Sequence, residues 1–158
     1  NVFGPRQNPH GEAGVIAIFC KQLLNGHAAH INGDGKYVRD YVYGPDVAAA
    51  NLAAIELNED NFSQRKVVCL NIGTGIGTDV NELEKKLRTH IEMFHEFSRE
   101  RIILPKPEYG PERVGDLRSN LLDASLANNV LNWKPTHSLD EGLAATARWF
   151  FEKEDALQ

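Results

Sequence analysis

Sulfur is scarce in this sequence: 158 residues hold two cysteines and one methionine. Cys20 in IAIFCKQLL and Cys69 in VVCLN cannot build the disulfide framework of a small stapled domain, and no Cys-x-x-Cys metal pair occurs. Both lie in apolar runs and read as small buried hydrophobes. The histidines do not supply a metal site either. His90 and His95 are five apart, which does not put them on one helix face as a zinc-binding HExxH does. No metal is expected.

Clustered positive charge is also missing. The formal net charge is −5 and no basic run exceeds two residues, which argues against a nucleic-acid phosphate track. Any anion bound is therefore small and held by a few placed residues. No apolar stretch approaches the roughly 20 residues that span a bilayer, so no membrane partner is expected. The chain opens at Asn1 rather than methionine, and the expectation is that the natural start, with any targeting peptide, lies upstream.

What is present alternates helix and strand signals, with helix in excess. Residues 1–13 read as a loop leaving a strand. Val15, Ile16, Ile18, Phe19, Leu23 and Leu24 follow helical spacing up to the stop signal Asn25-Gly26. A short extended piece, Ala29 to Asn32, precedes a tight turn at Gly33-Asp34-Gly35, and the β-branched and aromatic run Val38 to Tyr43 predicts a strand. Pro45 suits the first turn of the alanine-rich helix that follows. VVCLNIG predicts a buried strand, and Arg101 to Leu104 another. Asp79 with Glu82 and Ser138 with Glu141 have capping-box spacing, Asp123 is placed to cap LANNVLNW, and Leu143, Ala147, Phe150 and Phe151 share a face of the last helix. No repeat or internal linker appears. The expectation is one α/β unit over residues 1–151, helix-rich with a small mixed sheet, and a charged tail over 152–158.

Chemistry concentrates in three places. Gly73, Gly75 and Gly77 follow an apolar run and precede a helix, but the third glycine falls one position early for GxGxxG and no acidic residue closes a following strand about 20 residues on. This reads as a turn that brings backbone close to something else. Arg39 shares a strand face with Tyr41 and Tyr43, with Val38, Asp40 and Val42 opposite. An arginine there is either a surface cation packed on tyrosine or a fork aimed at phosphate or carboxylate. In PERVGDLR, Arg113 and Asp116 lie three apart around a glycine. They form a local ion pair, or they offer a nucleotide an arginine for phosphate and a carboxylate for the ribose diol.

Taken in order, NVFGPRQNP, GVIAIFCKQLLNG, INGDGKYVRDYVYGPDVAAA, LNIGTG, ERVGDLRSNLLDASLANNVLNWKP and SLDEGLAATARWF resemble the C-terminal, substrate-binding portion of the extended short-chain dehydrogenases/reductases, of the nucleotide-sugar epimerase kind. The resemblance implies a Rossmann-type parent fold and a UDP-sugar partner. It implies a cytoplasmic enzyme that interconverts UDP-glucose and UDP-galactose, or a related UDP-hexose, through a transient 4-keto sugar. It assigns Asn1 and the pair Gly14 and Val15 to substrate contact, His30, Ile31 and Asn32 to the uracil, Arg39 and Arg113 to the diphosphate, and Asp116 to the ribose. In two places the chain departs from that pattern. Gly44-Pro45 stands where the family's strand continues, and Asn32 where an aromatic is common.

The family binds NAD through an N-terminal glycine-rich fingerprint and uses a Tyr-x-x-x-Lys pair; no tyrosine here has lysine four positions on. The expectation is that the NAD-binding domain lies outside this chain, that the chain alone binds no NAD and does not turn over, and that the intact enzyme is a homodimer. Two alternatives remain open: a decarboxylase or dehydratase of the same superfamily, and a non-catalytic nucleotide-sugar-binding module.

Overall fold

Three amphipathic helices make the main core. Helix α1 (Val15–Leu24) buries Ile16, Phe19, Cys20 and Leu23. Helix α3 (Val80–Phe97) presents Leu83, Leu87 and Ile91, spaced four apart, and packs against both α1 and α5 (Leu139–Asp155) through the latter's Leu143, Ala147 and Phe150. Each such side chain contributes roughly 1.5–3 kcal/mol on burial. The computed structural model describes residues 1–10, 14–57, 67–97 and 103–155.

Local chemistry sets where these helices start. Glu82 N donates to Asp79 Oδ1 at 2.8 Å. Ser138 N donates to Glu141 Oε2 at 2.8 Å while Glu141 N donates to Ser138 Oγ at 3.3 Å, a reciprocal capping box. Helix α4 (Ser125–Leu131) begins where Ser125 N donates to Asp123 Oδ1 at 2.8 Å, and it ends at left-handed Asn132 rather than running through Trp133. Helix α5 continues to Asp155, into the stretch expected to be tail.

The strands are short and fall into three sheets instead of one. β1 (Val2–Phe3) pairs in parallel with β4 (Val42–Tyr43). β2 (His30–Asn32) pairs in parallel with β6 (Glu108–Gly110). β3 (Val38–Asp40) lies between antiparallel β5 (Gly77–Asp79) and parallel β7 (Ser119–Asn120). The strand expected over Val38 to Tyr43 is thus divided at Tyr41, where the chain leaves one set of neighbours for another. β4 is only two residues long because helix α2 (Gly44–Ile55) starts at once, with Pro45 in its first turn.

Two other strand expectations fail. Over VVCLNIG no ladder partner exists among the described residues; burial alternates, with Leu70 and Ile72 packed and Val67 and Cys69 outward. Cys69 is therefore exposed, unlike buried Cys20. Of the run Arg101 to Leu104, the first two residues lie outside the described set, and Ile103 and Leu104 are not in a strand; pairing with β2 begins at Glu108 instead.

A smaller core joins α2 to α4 through Ala50, Ala127, Leu131 and Trp133. Asp46, 2% exposed, ties it down. Its backbone carbonyl accepts from Trp133 Nε1 at 2.8 Å, and its carboxylate accepts from Thr136 Oγ1 at 2.7 Å and His137 Nδ1 at 2.8 Å. Burial pushes the Asp46 pKa up, but the bonds from His137 and Thr136 outweigh it and leave the carboxyl below its ordinary value.

Candidate functional site

The turn between β2 and β3 sets one edge of the site. Gly33 and Gly35 have φ of +65° and +71°, a region costly for a residue with a Cβ. A side chain at Gly35 would also run into Asn81. Asn81 clasps the turn from the start of α3: its Nδ2 donates to Asp34 O at 3.0 Å, and its N–H to Gly35 O at 3.2 Å. Asp34 receives Arg118 Nη1 and Nη2 at 2.8 and 2.6 Å, and these bonds lower its pKa to about 2. The same guanidinium lies over the Tyr37 ring, 4.8 Å from its centre.

Arg39 follows on β3. Its Nη1 donates to Val38 O at 2.8 Å and to Leu117 O at 2.7 Å, and its Nη2 pairs with Asp116 Oδ1. The side chain is only 14% exposed, so it is aimed by the fold rather than waving in solvent. These contacts leave Nε–H and one Nη2 hydrogen for a ligand. The local Arg113–Asp116 ion pair that spacing allowed is not made. Asp116 N donates to Arg113 O at 3.3 Å in a turn at Gly115, while the carboxylate goes to Arg39. Arg113 forms no ion pair among the described residues and is exposed.

A cavity of about 800 Å³ opens beside these groups. Arg39, Arg113 and Asp116 all line it. So do His30, Ile31 and Asn32 from β2, Gly14 and Val15 at the N-terminus of α1, and Asn1. All nine residues singled out from the sequence therefore border one space. The floor is apolar, with Ile31 and Phe19 buried. Helix α1 has no acidic residue in its first turn and no side-chain cap among the described residues, so the positive end of its dipole borders the cavity. The side-chain amide of Asn32 makes no hydrogen bond among the described residues.

Gln7, Tyr41 and Tyr37 are among the lining residues that were not singled out. Gln7 donates its Nε2 to Val2 O at 3.1 Å and its buried Oε1 has no partner among the described residues. It packs where a Cβ on Gly14 would sit, 3.0 Å from Gln7 Cδ, which is why glycine occupies that position. Tyr41 is buried, and burial pushes its phenol up to about 12, so it stays a neutral O–H. The alternation that placed Tyr41 beside Arg39 was the available signal. For Gln7 there was none.

The glycine turn at Gly73 to Gly77 is not a phosphate cradle. Its amides are occupied: Thr74 N donates to Asp40 at 2.9 and 3.0 Å, and Gly75 N at 2.9 Å. Buried Asp40 is the group that the turn approaches. A nicotinamide dinucleotide needs free amides at a strand-to-helix turn, and this turn, the candidate in the sequence, does not fit one. Among the described residues no cluster of three or more His, Cys, Asp or Glu could hold a metal, and no helix is long and apolar enough to cross a membrane.

Residues 1–73 match the NAD dependent epimerase/dehydratase family. The UDP-glucose 4-epimerase of Mycolicibacterium smegmatis is 41% identical over 153 residues, 97% of this chain and 44% of that protein. The crystal structure of Thermotoga maritima UDP-glucose 4-epimerase with UDP-glucose superposes with a TM-score of 0.80 at 45% identity, covering 100% of this chain and 45% of that one. The Thermus thermophilus UDP-glucose 4-epimerase complex with NAD gives 0.70 at 33% identity, covering 94% and 43%. The chain is thus UDP-glucose 4-epimerase-like over nearly its whole length. It spans less than half the length of those relatives.

Proposed function

We propose that this chain is the C-terminal, UDP-sugar-binding portion of an NAD-dependent nucleotide-sugar epimerase that inverts C4 of a UDP-hexose such as UDP-glucose. One observation carries the reading: two arginines from distant segments, a carboxylate bonded to one of them, and the open end of a helix border a single cavity with an apolar floor. A nucleoside diphosphate has the matching parts, an anionic diphosphate, a cis-diol and a flat base. Arg39 and Arg113 take the diphosphate, Asp116 accepts from the ribose hydroxyls, His30 to Asn32 lie along the base, and Asn1, Gly14 and Val15 complete the wall.

Arg39 is held by Asp116 and two carbonyls, which aims its fork and reduces the ordering cost of binding. On this reading the redox group and the proton-transferring residues are supplied by the rest of the intact enzyme, and the chain by itself binds nucleotide weakly. The test compares UDP with uridine by ligand-observed NMR titration, which reads weak affinities. UDP is expected to bind more tightly, and Arg39→Ala to erase most of that preference. Equal affinities for UDP and uridine in the wild-type chain would refute the assignment.

A further inference from the structure

Resting on the nucleotide-site reading, we propose that Tyr37 is the wall on which the nucleobase stacks, with Arg118 as its fixed backing. Among the described residues, four aromatic side chains line the cavity: Phe3, Phe19, Tyr37 and Tyr41. Phe3, Phe19 and Tyr41 are 3%, 1% and 5% exposed, consumed by the core. Tyr37 alone among them keeps accessible surface. A base offers a flat π-face, and an aromatic ring at the cavity edge is the group that receives one whatever its hydrogen-bonding edge.

The surroundings hold this ring in place. Arg118 sits over it at 4.8 Å, and that guanidinium is locked on Asp34 by two bonds of 2.8 and 2.6 Å. The backbone of Arg118 is fixed too, since Val38 N donates to its carbonyl at 2.9 Å. On another side the ring abuts Gly33: a Cβ there would lie 3.2 Å from Tyr37 Cε2. A cation on one face leaves the other for the base, a sandwich that adds cation–π attraction to stacking. The position also suits the rest of the ligand. Tyr37 precedes Arg39 by two residues, about 6.6 Å along an extended chain, and follows Asn32, whose unpaired amide can meet the polar edge of the base.

The test is an NMR titration of the chain with UDP and, separately, inorganic pyrophosphate, which has no base. With wild type, uracil H5 and H6 are expected to move upfield on binding, the ring-current signature of a stacked aromatic. Tyr37→Leu is expected to weaken UDP about 10-fold and abolish the upfield movement, with pyrophosphate affinity unchanged. Tyr37→Phe keeps both UDP affinity and the upfield shift. If Tyr37→Leu binds UDP as tightly as wild type with the same upfield shift, Tyr37 is not the base wall, and the nucleotide-site reading stands. A Tyr37→Leu variant that loses pyrophosphate as well marks a general role in folding and also overturns the proposal. If wild type shows no UDP binding at all, the nucleotide-site reading falls, and this proposal with it.

Discussion

Replacing Asp40 tests how the strand that carries Arg39 is tied to the glycine turn. Asp40 is 2% exposed. Its Oδ1 accepts from Thr74 N at 2.9 Å and Thr74 Oγ1 at 2.7 Å, and its Oδ2 from Gly75 N at 2.9 Å. Asparagine has nearly the same shape, but one of the two oxygens becomes an NH2. In either orientation of the amide, at least one part-buried donor then faces another donor. An unsatisfied buried donor costs about 1–3 kcal/mol, and loss of charge assistance weakens the bonds that remain. Asp40→Asn is therefore expected to destabilise the chain by about 2–4 kcal/mol, and Asp40→Ala by about 3–5 kcal/mol, because it strands all three donors and leaves a void. At roughly 2–4 °C per kcal/mol for a chain of this size, the melting temperature falls well outside experimental error. Urea unfolding followed by circular dichroism reads the change as a lower midpoint at constant slope. Thr74→Val, which removes the hydroxyl that donates to Asp40 and accepts from Ile76 N at 3.0 Å, is expected to cost about 1 kcal/mol alone and less in the Asp40→Ala background, where the first of those partners is already gone. Stability of both Asp40 variants within about 0.5 kcal/mol of wild type would refute the view that this carboxylate holds the turn.

Further outcomes follow from other buried groups. Asp46 has a folded pKa below its unfolded value of about 3.8, so its contribution is fully present above that pH and is lost as pH falls through the folded value. Asp46→Asn should flatten the acid limb of a stability-versus-pH curve, and an unchanged limb would discount its bonds to Thr136 and His137. Native protein should expose one thiol to a disulfide reagent, Cys69, with Cys20 reacting only on unfolding; two fast thiols would contradict the burial of α1. The purified chain supplied with UDP-glucose and NAD should form no UDP-galactose, and turnover would mean that catalytic groups lie within these residues.

The helices were legible because their signals are local. Leu83, Leu87 and Ile91 repeat with the helical period, and Ser138 and Glu141 satisfy each other across three residues. Two extended segments, Ala29 to Asn32 and Val38 to Tyr43, were also located, but their pairing was not legible, since ladders of two or three residues depend on partners far along the chain: His30 needs Glu108, and Val38 needs both Asp79 and Ser119. VVCLNIG has strand composition, yet only one of its faces finds packing and no described strand lies beside it. The two buried carboxylates show the same limit. Asp40 and Asp46 looked like ordinary acids because their donors sit 34 and 90 residues away.

Spacing alone brought out Arg39 and the Arg113/Asp116 pair and left their partners undecided; the ordered motifs supplied the other six residues. What neither source could supply is that Asp116 pairs with Arg39, 77 residues away, instead of with nearby Arg113. On the proposed assignment that contact serves both ends of the ligand: ribose hydroxyls donate to Asp116 Oδ2 while Oδ1 keeps Arg39 aimed at the diphosphate. Ribose and pyrophosphate offered as separate compounds are then each expected to bind far more weakly than UDP, in which one event places both groups.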